Sequence, residues 1–197
     1  MAHIVLLGDS IFDNQPYVAQ GGATIDELSA RLPAGWQATL LAHDGDRARD
    51  VRSQLRGVPA SATHLVVSVG GNDALDQQAL MAERVRTVDE ALRRLGEVAQ
   101  KFEDDYRVML RTVLAKALPV TICTIYNGNF DDWETALVFR TALAAFNDVI
   151  IRAGWENHLP ILDLRAVCDR PAHYANPIEP STEGSARIAE AIVRMMS

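Results

Sequence analysis

The 197-residue chain predicts an α/β fold: a three-layer α/β/α sandwich built on a five-stranded parallel sheet. Two observations carry this. Short apolar runs alternate with longer amphipathic stretches, and each stretch is long enough to cross over between parallel strands. No linker, repeat or low-complexity segment interrupts the alternation, so one domain over 1–197 is expected.

The elements follow in order. Ile4–Leu7 is a compact apolar run ending at Gly8, as a strand buried on both faces would be. Thr24–Leu32 carries Ile25, Leu28 and Leu32 at helical spacing and stops at Pro33. Trp36–Ala42 reads as the second strand and Arg47–Leu55 as a short polar helix. His64–Val69 is a third strand, rich in β-branched residues. A long helical region runs from Leu80 to Leu118, with a break expected near Phe102–Asp105. Val120–Ile125 is the fourth strand, and Trp133–Ala153 is helical with Gly154 as its terminator. Ile161–Leu164 is the fifth strand, and Glu183–Met196 closes the chain with Ile188, Ala191, Ile192 and Met195 on one helix face.

Composition narrows the function. The hydrophobic fraction is 48% and the charged fraction 23%, ordinary for a globular domain. A net charge of −7 argues against nucleic acid and against an anionic membrane surface as partners. Cys123 and Cys168 lack metal-ligand spacing, and Cys123 lies in an apolar run as a small buried hydrophobe. No dinucleotide fingerprint or phosphate loop is present, so neither cofactor nor metal is expected. The first residues are too short and too uncharged for a secretory leader, and no apolar stretch reaches membrane-spanning length. The expected location is cytoplasmic.

In parallel sheets ligands bind beyond the carboxyl ends of the strands. Ser10, Gly45, Asn72 and the loop after the fifth strand all fall at that edge. Gly8-Asp9-Ser10 is locally a turn, and Asn72-Asp73 is locally a helix N-cap. Together they put a hydroxyl nucleophile and a carboxamide donor at the ends of neighbouring strands. A serine nucleophile needs donors aimed at the developing oxyanion, and the Ser10 amide, Gly45 amide and Asn72 side chain could supply them.

On these residues the chain resembles the SGNH (GDSL-type) hydrolase family along nearly its whole length. Gly8-Asp9-Ser10 matches the first family block, Gly70-Gly71-Asn72-Asp73 the third, and Asp44-Gly45 stands in the place of the second. The resemblance implies an acyl-transfer hydrolase of small esters, with Ser10 as nucleophile and Ser10, Gly45 and Asn72 as oxyanion hole. The last block departs. The family pattern is Asp-x-x-His-Pro followed by a glycine and a helix. Here the chain reads Asn176-Pro177-Ile178-Glu179-Pro180, with Gly184 and the final helix after it. Asn176 takes the Asp position and Glu179 the His position, so the family triad is not carried over intact. A carboxylate matches serine activation less well than imidazole unless burial raises its pKa.

Two histidines near the same edge could act as base instead: His43, beside Asp44-Gly45, and His173, in the loop before Glu179. Each reads more readily as a solvated loop residue. Asp9, Asp73 and Asn176 complete the accessory candidates, and Asp13, Asn14, Tyr126 and Asn127 could line the pocket. Three functions stay open. The first is a serine hydrolase with Ser10 as nucleophile, Glu179 as an atypical base and a small-molecule ester as substrate. The second is a binding or scaffold module that keeps the frame without the catalysis. The third is a flavodoxin-like sheet holding a phosphorylated ligand, which the acidic balance disfavours.

Overall fold

A computed structural model describes residues 1–196. Five parallel strands form one sheet in the order β2-β1-β3-β4-β5: β1 (His3–Gly8), β2 (Gln37–Leu40), β3 (His64–Ser68), β4 (Val120–Cys123) and β5 (Ile161–Leu162). The expected sheet is therefore present, with β2, β4 and β5 shorter than their apolar runs.

The three layers follow from the two-residue period of a strand. On β1, Val5 and Leu7 join a core with α2 (Val51–Gln54), α4 (Val88–Leu114) and α5 (Trp133–Glu156). Ile4 and Leu6 join the opposite core, with α1 (Thr24–Arg31), α6 (Leu164–Val167) and α7 (Thr182–Met196). All four β1 side chains are fully buried. Each such aliphatic side chain stabilises the fold by about 1.5–3 kcal/mol. The chain moves from β1 outward to β2 through α1, then back past β1 to β3 through α2. One handedness of crossover places oppositely directed connections on opposite faces, as seen. The direction reverses between β1 and β3, so a crevice opens at their carboxyl ends.

Two helices correct the sequence reading. The expected break at Phe102–Asp105 is absent, and α4 runs unbroken for 27 residues. Phe102, Tyr106, Met109, Leu110 and Val113 form one buried stripe through that stretch, and the Glu103–Arg107 pair staples its outer face. The helix begins at Val88, where the Thr87 hydroxyl accepts from the Glu90 N–H at 3.1 Å; Gln78–Ala82 is a separate 3-10 turn. Likewise α5 does not stop at Gly154 but continues to Glu156. Gly154 is there for close packing: a Cβ on it would lie 2.7 Å from Ile161 Cδ1 and 2.9 Å from Ile122 Cδ1. Two further segments were not separated in the sequence. Asn72 and Asp73 sit inside a short helix, α3 (Gly71–Leu75), and the residues after Leu162 turn into α6, capped by Asp163.

Gly154→Leu should force a large side chain between α5 and the sheet. Overpacking of this kind costs about 1–3 kcal/mol, and equilibrium denaturation in urea should show a lower midpoint with an unchanged slope.

Candidate active site

The first strand ends in a turn that only glycine can make. Gly8 has φ of 132°, and a Cβ there would lie 1.7 Å from the Ser68 carbonyl oxygen of β3. The Asp9 N–H donates to that same carbonyl at 3.1 Å, and the Asp9 carbonyl accepts from the Phe12 and Asp13 N–H groups at 3.1 Å. The chain thus folds over directly at the top of the sheet and holds Ser10 there. Its hydroxyl is buried and donates to Glu179 Oε1 at 3.1 Å, across 169 residues of sequence.

Glu179 is presented by a tightly built loop. Tyr174 and Pro180 form an antiparallel bridge, the Ala175 N–H donates to the Glu179 carbonyl at 2.9 Å, and the Ser181 N–H donates to the His173 carbonyl at 2.9 Å. Asn176 Oδ1 accepts from the Ile178 and Glu179 N–H groups, each at 2.9 Å. The Tyr126 hydroxyl donates to the Ile178 carbonyl, and Asn14 Nδ2 donates to the Pro180 carbonyl at 3.1 Å. Asn176 therefore shapes the turn that carries Glu179. Its side chain is spent on backbone and makes no hydrogen bond to the Glu179 carboxylate.

Burial dominates the electrostatics. It pushes the Glu179 carboxyl up to about 7; the Ser10 hydroxyl pulls it partly back, and the charge of Asp44 adds to the rise. Glu179 Oε2 is buried without a partner, which disfavours the ionised form further. Asp9 is raised to about 8, again mainly by burial, partly offset by the Ile11 N–H it accepts at 3.2 Å and reinforced by the charges of Glu179 and Asp73. Near neutral pH Asp9 is thus mostly a neutral acid while Glu179 is poised between its two forms.

Asn72 reaches the same place from β3. Its Nδ2 donates to the Asp46 carbonyl at 3.0 Å, which fixes the plane of the amide. Among the described residues the remaining Asn72 N–H has no protein partner. The neighbouring Asp73 accepts from the Ala48 N–H at 3.0 Å, and Arg47 pairs with Asp76, so α3 is tied to the 46–48 loop at three points.

A cavity of about 470 Å³ opens beside these groups. Asp9, Ser10, Asn72 and Glu179 are in its wall. Most of the remainder is apolar, including Leu80, Leu95, Val98, Ile125, Phe130 and Leu143. No lysine, arginine or histidine lines it.

The other sequence candidates lie elsewhere. Gly45 sits in an exposed turn with φ of 85° and is not part of the cavity wall, unlike Ser10 and Asn72. His43 is exposed, with Nδ1 4.0 Å from Asp13 and its ring outside the cavity. His173 is buried, but its Nδ1 accepts from the Arg170 N–H at 3.3 Å beside Asp169, and its Nε2 faces Glu183. Asp73 and Asn176 stand behind the wall as supports. Tyr126 and Asn127 line the cavity as expected, whereas Asp13 and Asn14 do not. Sequence reading missed Gln54 and Asp46, which tie the loops together, and the apolar wall from α4 and α5. Only the wall left a signal: apolar wall residues such as Met81 and Val138 remain exposed where a helix should show polar groups.

A buried, half-satisfied carboxyl should weaken the fold. Glu179 holds its proton in the folded state up to about pH 7, whereas in the unfolded chain it releases it near the ordinary value of 4.5. Its destabilising effect is therefore absent at low pH, grows as pH rises through that window, and is constant above it. Glu179→Gln should raise the denaturation midpoint at pH 8 and leave it nearly unchanged at pH 4, measured in parallel urea titrations.

No curated protein matches this chain. A family model described as the GDSL-like lipase/acylhydrolase family matches residues 6–187. Among solved structures it is similar to an extracellular lipase from Streptomyces rimosus, with TM-score 0.73 and 15% identity over 100% of this chain and 99% of the other. It is also similar to phospholipase A1 from Streptomyces albidoflavus NA297, with TM-score 0.73 and 13% identity over 97% and 98%. A lipase/acylhydrolase from Enterococcus faecalis gives TM-score 0.67 and 20% identity over 100% and 95%. These TM-scores establish a common fold. The family match, which covers nearly the whole chain, makes this protein a member of the GDSL-like lipase/acylhydrolase family.

Proposed function

We propose that the protein hydrolyses neutral carboxylic esters by acyl transfer through Ser10, with Glu179 as the base. The observation that carries this is the buried hydrogen bond from the Ser10 hydroxyl to Glu179 Oε1, in the wall of an apolar cavity. Glu179 takes the Ser10 proton as Oγ bonds to the acyl carbon. The carbonyl oxygen gains negative charge and is held by the Ser10 amide and the open N–H of Asn72. Collapse breaks the ester C–O bond, and Glu179 returns the proton to the departing alcohol. Water then attacks the acyl carbon as Glu179 accepts its proton; collapse breaks the bond from the acyl carbon to Ser10 Oγ, Glu179 returns the proton to Oγ, and the carboxylic acid leaves.

The electrostatics support this assignment. A base works best with a pKa near the operating pH, and burial brings the Glu179 carboxyl to about 7. An imidazole reaches that range unaided. The absence of any cation from the wall favours uncharged substrates and counts against a phosphorylated ligand. The apolar lining suits an aliphatic acyl group.

The tests separate these roles. Ser10→Ala should abolish hydrolysis of an aryl ester. Asn72→Ala should lower kcat by about 10²–10³ with little change in KM, because its contact forms only as charge develops. Activity should rise with pH to a plateau above an apparent pKa of about 7. That value alone resembles histidine, so the variants decide: Glu179→Gln should remove most turnover, while His43→Ala and His173→Ala should leave the profile in place. Lengthening the acyl chain from acetate to hexanoate should raise kcat/KM, by up to about 0.8 kcal/mol per methylene. Wild-type protein without turnover, and inert toward a phosphonate at Ser10, would favour the scaffold reading.

A further inference from the structure

We propose that Gln54 is a positioning residue that couples the nucleophile turn to the oxyanion amide. The proposal rests on the acyl-transfer roles given above to Ser10 and Asn72. Gln54 ends α2 and is buried. Its Oε1 accepts from the Gly8 N–H at 2.8 Å, and its Nε2 donates to the Gly8 carbonyl at 2.7 Å. The same Nε2 donates to Asp46 Oδ2 at 2.7 Å.

The sheet explains why a side chain is needed here. Pairing between β1 and β2 stops at Leu6 with Leu40, so β2 offers no peptide to Gly8. Gly8 nevertheless lies at the level where the chain must be held, two residues before Ser10. A carboxamide carries one donor and one acceptor side by side, as a peptide group does. Gln54 thus stands in for the next peptide of β2, and it is the partner of the Gly8 N–H. The His43 N–H also donates to the Gly8 carbonyl at 3.0 Å, so the acceptor side is shared.

The second bond extends the hold to Asn72. Asp46, gripped through its carboxylate, presents its backbone carbonyl to Asn72 Nδ2 at 3.0 Å. A continuous chain of hydrogen bonds therefore runs Gly8–Gln54–Asp46–Asn72. It links the strand end that carries the nucleophile to the amide that faces the oxyanion. Gln54 touches no substrate; it acts by keeping these two elements in register.

Gln54→Met keeps the length and removes every hydrogen bond. It should lower kcat about 10- to 100-fold with KM nearly unchanged, the scale expected for a small misplacement of catalytic groups. Asp46→Ala leaves the Gly8 clamp intact and guards against a folding defect; it should lower kcat about tenfold by the same route. With Asn72 already replaced by Ala, Gln54→Met should do much less than in the wild-type background, because the element it positions is gone. A readout without turnover is the hydrogen exchange of the Asn72 side-chain amide by NMR, which should be slow in wild type and fast in both variants. Wild-type turnover with kcat retained in both variants, or an equal loss in the Asn72→Ala background, would overturn the coupling. If wild type shows no turnover, the acyl-transfer reading fails and amide exchange decides the coupling alone: loss of protection upholds it, and unchanged protection overturns it.

Discussion

The register of β1 against β3 sets the height at which everything else at the site stands. Gly8 lies opposite Ser68, so both strands end at one level and their next residues emerge side by side. The Asp9 amide then takes the Ser68 carbonyl, and the turn to Ser10 follows without a spacer. A slip of one residue would invert the faces of β1 and bury the wrong side chains in both cores. The two hydrophobic layers that lock the register therefore also locate Ser10, the proposed nucleophile. The direction of the chain reverses at this same pair of strands, which is why the crevice opens there rather than elsewhere on the sheet.

The distinctive feature of the site is a buried carboxyl, Glu179, that accepts a hydrogen bond from the Ser10 hydroxyl. An exposed glutamate would be ionised far below neutral pH and would hold a serine proton poorly. Here burial supplies the missing basicity, and a loop of backbone hydrogen bonds keeps the group from escaping to water. The unpartnered Oε2 is the counterpart of that tuning: a group kept half-satisfied is reactive and destabilising at once. Asn176 fits this design. With Glu179 as the proposed base no imidazolium forms and no charged partner is required at that position; the Asn176 side chain caps the turn instead.

Much of this was legible in the sequence. The apolar runs are clearest for β1, β3 and β4, because strands buried on both faces leave uninterrupted hydrophobic stretches; the edge strands β2 and β5 are read from weaker runs in the alternation. Ser10 and Asn72 stand out from short motifs just past those runs, and Glu179 from the Asn176–Pro180 segment ahead of the final helix. What could not be read was set by contacts between distant segments. Gln54 has no local signature, since its partners lie at Gly8 and Asp46. Gly154 resembles a helix terminator until Ile122 and Ile161 are seen packed against it. His173 resembles a possible base until its ring nitrogen is found accepting a backbone N–H. The tuned pKa of Glu179 depends on burial, which no single residue records.

The central claim is that a buried carboxyl, rather than an imidazole, activates Ser10. The direct measurement is an NMR titration of the ¹³C-labelled Glu179 carboxyl, run beside the pH dependence of Ser10 modification by a phosphonate. The account predicts that both titrate with one midpoint near 7. A Glu179 carboxyl that titrates in the ordinary range of about 4.3, while Ser10 reactivity follows a group near 6.5, would contradict it.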